Sequence, residues 1–132
     1  MAIGDVGGSV NTVTLTCKSQ AACDGQKLLL CDIARHDAVR LTGGYEVSNA
    51  LTNGCRVVGV AQARCDAPGA ALPVQMGGVI IFDYCGAEPM IGGGICGSDQ
   101  AGRVRGATWA DQARVGVVLK VTASDKLVHV LM

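Results

Sequence analysis

Seven cysteines and two histidines are the residues of this 132-residue chain best suited to chemistry. The cysteines are Cys17, Cys23, Cys31, Cys55, Cys65, Cys85 and Cys96; the histidines are His36 and His129. Structural zinc sites draw their ligands in close pairs, because one tight turn presents two of them to the same ion. No two cysteines here are spaced Cys-x-x-Cys, and neither histidine pairs with a cysteine at metal spacing. The expectation is therefore no metal and no cofactor. A disulfide framework usually has an even count and an oxidising compartment. The count is odd, and the opening Met1-Ala2-Ile3-Gly4-Asp5 has no basic region followed by an apolar run. Most thiols are expected to be reduced and buried as small hydrophobes. A particle that matures outside a cell would leave room for one or two disulfides. A Cys–His nucleophilic pair could use Cys31, five residues before His36, or Cys85, after an apolar run. Nothing in the sequence marks an oxyanion site beside either.

Other motifs fail on context. Gly92-Gly93-Gly94-Ile95-Cys96-Gly97 fits Gly-x-Gly-x-x-Gly, but Ser98-Asp99-Gln100-Ala101-Gly102 follows it. That is a turn where a dinucleotide site needs a helix. Ser9, Ser48 and Ser98 lack a nucleophile elbow. Glu46 and Glu88 fall in or beside expected turns, where a carboxylate is ordinarily solvated. Eleven basic residues balance eleven acidic ones. Arg103, Arg105 and Arg114 form the nearest thing to a basic stripe, and Asp111 interrupts it. With four aromatics in all (Tyr45, Phe82, Tyr84, Trp109), there is little to stack bases on. Nucleic acid is not an expected partner, and no catalytic constellation is expected.

The elements that would carry these residues are strands. Val13 to Cys17 alternates apolar residues with threonines, the pattern of a half-buried strand. Val39 and Leu41, then Leu72, Val74 and Met76, repeat it. Residues 79–82 are apolar on both faces, as in a central or covered strand. Val115, Val117, Leu119 and Val121 precede a turn at residues 122–125 and a last strand at 127–131. Turn signals at Gly43-Gly44, Asn53-Gly54, Pro68-Gly69, Gly77-Gly78 and Gly92-Gly93-Gly94 separate the runs. Spacing of about ten residues points to a small all-β, Gly-rich barrel or sandwich of short antiparallel strands. Helix is expected at most over residues 46–51 or 109–113. A weak repeat relates Val58-Gly59-Val60-Ala61 and its following strand to Val115-Gly116-Val117-Val118 and its own. Each glycine should mark a bulge, a bend or a close backbone approach. No apolar stretch nears the roughly 20 residues of a membrane helix. The chain has the size of one domain, and its aromatic-poor core should be thin and gain stability from neighbours.

From residue 37 to Met132 the pattern resembles the capsid cement, or head decoration, proteins of tailed bacteriophages. The residues that carry the resemblance are Ala38-Val39-Arg40-Leu41, Val57-Val58-Gly59-Val60-Ala61, and Pro68-Gly69 before Leu72-Pro73-Val74. Gly78-Val79, Gly102-Arg103-Val104, Val115-Gly116-Val117-Val118 and Leu127-Val128-His129-Val130-Leu131 complete it. The resemblance implies a barrel-like decoration domain over 37–132, preceded over 1–36 by an arm and first strands, in one compact unit. It implies a non-enzymatic protein on the outer surface of a virion head, bound to the major capsid protein, commonly as a homotrimer.

Interface expectations follow. The two-sided strand nominates Ile80 and Phe82. Trp109 is a further candidate, because Trp is enriched at binding hot spots, although capping the monomer's own core is the simpler role. An arm over residues 2–11, with Ala2, Ile3 and Val6, could add a strand to a capsid edge. Two rivals stay open. One is a small enzyme or ligand-binding barrel with Cys85 or Cys96 beside His36 or His129. The other is a tail or baseplate subunit.

Overall fold

A computed structural model describes residues 11–18, 33–67 and 69–132. Among them are ten strands and no helix. They are β1 Thr12–Cys17, β2 Ala38–Gly43, β3 Glu46–Ser48, β4 Gly59–Ala61 and β5 Ala71–Gln75, then β6 Val79–Asp83, β7 Ile95–Gly97, β8 Val104–Gly106, β9 Val117–Thr122 and β10 Leu127–Leu131. The first five close a barrel in the order β1-β3-β2-β4-β5. Only β1 and β3 run parallel; the other barrel pairs are antiparallel. Strands β6, β10 and β9 form a three-stranded sheet, and β7 and β8 a two-stranded ribbon. The all-β expectation holds. The two segments considered for helix are otherwise: residues 46–48 are strand β3, and the stretch around Trp109 is a run of turns.

Strand alternation builds two cores that share a wall. In β2 and β4, Val39 and Ala61 face the barrel interior with Leu15, Cys17, Ile33, Val47, Cys65, Leu72 and Val74. Their neighbours Ala38 and Val60 point the other way. They pack with Ile80, Phe82, Tyr84, Ile95, Val104, Val118, Val128 and Val130. A strand apolar on both faces needs a cover on both, and here each core covers one side. The expected division at residue 36 runs through the barrel: β1 lies before it and pairs with β5 from Thr12↔Gln75 to Thr16↔Ala71.

The repeated glycines both mark close approaches. A Cβ on Gly59 would lie 2.2 Å from the Gln75 carbonyl oxygen of the paired strand β5. Gly116, at φ +70°, turns the chain into β9, and a Cβ there would lie 2.3 Å from Val130 Cγ1. The closing hairpin forms as the alternation predicts, with a bulge between His129 and Val130.

One disulfide is present among the described residues, within the one or two left open: Cys17 and Cys65 are joined across 48 residues, with Cα atoms 6.9 Å apart. It joins β1 to the short bridge Cys65 makes with Ile33. Cys55, Cys85 and Cys96 are free thiols, while Cys23 and Cys31 lie outside the described residues. One expectation is corrected, on β6. Ile80 and Phe82 are both fully buried in the monomer's own core, so neither is available to a partner. Their neighbours Val79 and Ile81 face outward at 50% and 44% exposure.

Candidate docking surfaces

The loop after β8 is built by charges. Thr108 and Asp111 close a turn: the Asp111 N–H donates to the Thr108 carbonyl at 3.0 Å. The Thr108 N–H and hydroxyl donate to Asp111 Oδ2 at 2.8 and 3.1 Å. Arg105, on β8, grips the same carboxylate with both Nη atoms at 3.2 and 3.1 Å. Its Nε donates to Asn53 Oδ1 at 2.8 Å. Two-pronged Arg–carboxylate pairs fix orientation as well as adding energy. The Arg105 guanidinium, helped by the Thr108 N–H, holds the Asp111 carboxyl at about 2, below its ordinary 3.8. Arg114 braces the far side, its Nη1 donating to the carbonyls of Trp109 at 2.6 Å and Asp111 at 3.2 Å.

This scaffold presents Trp109 to solvent. The side chain is 87% exposed, so it does not cap the monomer's core. An indole held this far out on a braced turn loses little freedom when something covers it, which suits a hot spot. Beside it lies a groove of about 620 Å³, floored by Gly92, Gly93, Gly94 and Gly116. Met90 and Val115 line it, and Arg114 is its only charged residue. A second hollow, of about 420 Å³, is lined by Cys85, Glu88, Asp99 and Arg105 among others.

The second surface is the outer face of β6-β10-β9. Registered pairs put Val79, Leu131 and Val117 in one row across it, and Ile81, His129 and Lys120 in the next. Asp83, Leu127 and Thr122 make the third row. Leu119 is the extra residue of the bulge. Val79, Ile81, Val117, Leu119 and Leu131 are each between 44% and 50% exposed. His36 borders this face, lining a small hollow with Ile81, Asp83 and Leu127.

Among the described residues, the geometry separates the groups a Cys–His site would need; Cys31 lies outside them. The hollow that holds Cys85 contains neither His36 nor His129. Both histidines sit at the outer sheet face instead. Cys96 is buried, and burial pushes its thiol up, against the opposing pull of Arg105. A raised thiol is a poor nucleophile. Among the described residues, no cluster of three or more His, Cys, Asp or Glu could hold a metal ion. Ala2, Ile3 and Val6 lie outside the described residues. Sequence reasoning missed the braced loop because its partners, Asn53, Arg105, Asp111 and Arg114, are spread over 62 positions and meet only in the fold. The one signal in the sequence is Asp111 between Arg105 and Arg114, where it breaks the basic stripe.

No family model and no curated protein matches the chain. A solved structure does share the fold. The N base of head fiber gp8.5 in bacteriophage phi29 superposes with a TM-score of 0.61, covering 92% of this chain and 92% of that one. Sequence identity is 14%. The likeness spans the barrel and the open sheet together and defines the chain's fold.

Proposed function

We propose that this protein is a structural component of a bacteriophage head, a cement or decoration subunit that binds the outer surface of the shell and stabilises the major-capsid lattice. The observation that carries the reading is the fold shared along nearly its whole length with a phage head-fiber base. The sequence resemblance to head decoration proteins points the same way. The outer face of β6-β10-β9 offers the contact, with five half-exposed apolar side chains around His129 and charge at opposite edges, Asp83 on β6 and Lys120 on β9. Each contact is small and the protein carries no net charge. Firm attachment therefore comes from several copies acting together as an oligomer, which multiplies weak contacts through effective concentration.

A cement protein works by linkage: it binds the closed lattice more tightly than the separated subunits and so favours the closed state. The experiment is to strip the protein from DNA-filled particles, restore it in graded amounts, and heat them. DNA release should move to higher temperature and saturate with occupancy. Equal release temperatures for stripped and decorated particles would reject the cement role, and failure to rebind shells at all would reject the head assignment.

A further inference from the structure

The two hollows of the open half lie side by side. Met90 and Ala107 line both, and so form the ridge between them. On one side of the ridge is the groove beside Trp109, with Arg114. On the other is the hollow that holds Glu88, Asp99 and Arg105. The two sides differ in charge. Asp111 already neutralises Arg105, whereas Glu88 and Asp99 make no salt bridge among the described residues, so the hollow is acidic. Arg114 has no carboxylate partner among the described residues either, and its Nη1 binds only main-chain carbonyls, so the groove is basic. The ridge itself is apolar and prominent. Met90 is 78% exposed, and Ile91 next to it 60%.

Trp, Met and Arg together are the residue types enriched where proteins meet. The patch also carries its own complement: a projecting indole beside a hollow, and a free guanidinium beside free carboxylates. We infer that two copies of this chain pair across this face about a two-fold axis. Trp109 of each copy lies in the acidic hollow of the other, against Ala87 and Met90, and Arg114 of each meets Glu88 of the other. A two-fold contact uses one patch twice, so a projection and a hollow that share a ridge can serve each other within a single pair. A closed ring of more copies would need them to face in different directions. The contact is small. An aromatic ring buries about 150–250 Å², which puts the pair toward the low end of specific interfaces, below about 1,200 Å². Pairing is therefore reversible and depends on concentration. It uses none of the five apolar side chains on the outer face of β6-β10-β9. The inference does not rest on the proposed function, and it is tested on the protein alone.

Sedimentation velocity of the full chain over a concentration series should show monomer passing to dimer and no further. Trp109 is the only tryptophan, so its fluorescence reports the contact directly. Its quenching constant with acrylamide should fall about two-fold or more over the same series, as a partner covers the ring. Trp109→Ser and Glu88→Lys should each raise the dimer dissociation constant about ten-fold or more. Both side chains are exposed, and far-ultraviolet circular dichroism matching the unsubstituted chain confirms an intact fold. Ile81→Asp, on the outer sheet face, should pair normally. The inference is overturned if the chain stays monomeric at every concentration, or if its dimer survives both Trp109→Ser and Glu88→Lys. Loss of pairing in Ile81→Asp overturns it as well, by moving the contact to the sheet. Quenching that changes only when shells are added would give the groove to a capsid protein and overturn the second-copy reading.

Discussion

The barrel of β1–β5 and the open half of β6–β10 solve the same edge problem in opposite ways. The barrel closes on itself, so no strand edge is left to pair with another chain. Its interior holds no aromatic residue, and a disulfide ties Cys17 to Cys65. The open half carries Phe82 and Tyr84 in its core, has no disulfide among the described residues, and leaves β6 and β9 as sheet edges. Its outer face, its Trp109 loop and the Met90–Ile91 segment before β7 hold the large exposed apolar side chains apart from Val13, Leu41 and Tyr45. On the proposed function, the division of labour is one half that holds shape and one that offers a contact face, joined through the shared strands β2 and β4.

The strongest way to break that comparison is to empty the aromatic core. Phe82→Ala should cost about 3–5 kcal/mol, the usual range for deleting a buried aromatic ring. Because Ala38 and Val60 of the barrel strands pack into the same core, the loss should lower one cooperative transition. Calorimetry of the variant that resolved two transitions, with the barrel melting unchanged, would show that β2 and β4 do not couple the halves.

Removing the disulfide tests the other half. Cys17→Ser/Cys65→Ser frees a 48-residue loop in the unfolded chain. The chain-entropy account gives a loss of about 4 kcal/mol, an upper value if the unfolded chain retains structure. Urea unfolding of the variant, and of the unsubstituted chain with and without reductant, measures it. An unchanged midpoint would mean that the barrel is held by its packing alone.

Which of these features the sequence discloses depends on the distance over which each is encoded. Alternation is local, and it reveals β1, β5 and the β9–β10 hairpin directly. The glycines at 59 and 116, at the start of β4 and just before β9, announce close backbone approaches, because a missing Cβ is itself the signal. Barrel closure is not local: the parallel β1–β3 contact joins Thr16 to Glu46, and no short pattern announces it. The Cys17–Cys65 pair is hidden for the same reason. The apolar run 79–82 is legible as covered but not as to which side faces out. Alternation within it resolves that only once the second core is known to lie over Ile80 and Phe82. Trp109 is named by the sequence as an interface candidate, but whether it stands exposed or caps the core is decided only in the fold, where it lies on the loop that Asp111 and Arg105 brace.

That brace makes a smaller, local prediction. The folded Asp111 carboxyl titrates at about 2, below its ordinary 3.8, so the fold favours the ionised form. Its contribution is complete above the ordinary value and is lost as pH falls through about 2. The Thr108 amide, which donates to Asp111 Oδ2, should show a nuclear magnetic resonance titration with a midpoint near 2. Asp111→Asn should abolish it and loosen the loop while the barrel strands stay put. A midpoint near 4 would show that Arg105 does not hold the carboxylate in solution.

The smallest effect on stability should accompany the largest on attachment. Ile81→Asp changes a side chain that is 44% exposed in the middle row of the outer sheet face, on the edge strand β6 beside His129. Surface substitutions of this kind usually move stability by no more than about 0.5 kcal/mol. The substitution nevertheless places a second carboxylate on the side of the face that already carries Asp83. It puts a hydrated charge where an apolar contact would have to be dry. Multivalency magnifies the result, because a weakened contact recurs in every copy of the oligomer. The variant should therefore fold and melt like the unsubstituted protein, yet bind stripped shells at least ten-fold more weakly in co-sedimentation. Cys55→Ser, away from this face, serves as the control and should bind normally. Undiminished binding by Ile81→Asp would move the contact off the open sheet, and with it the division of labour between the two halves.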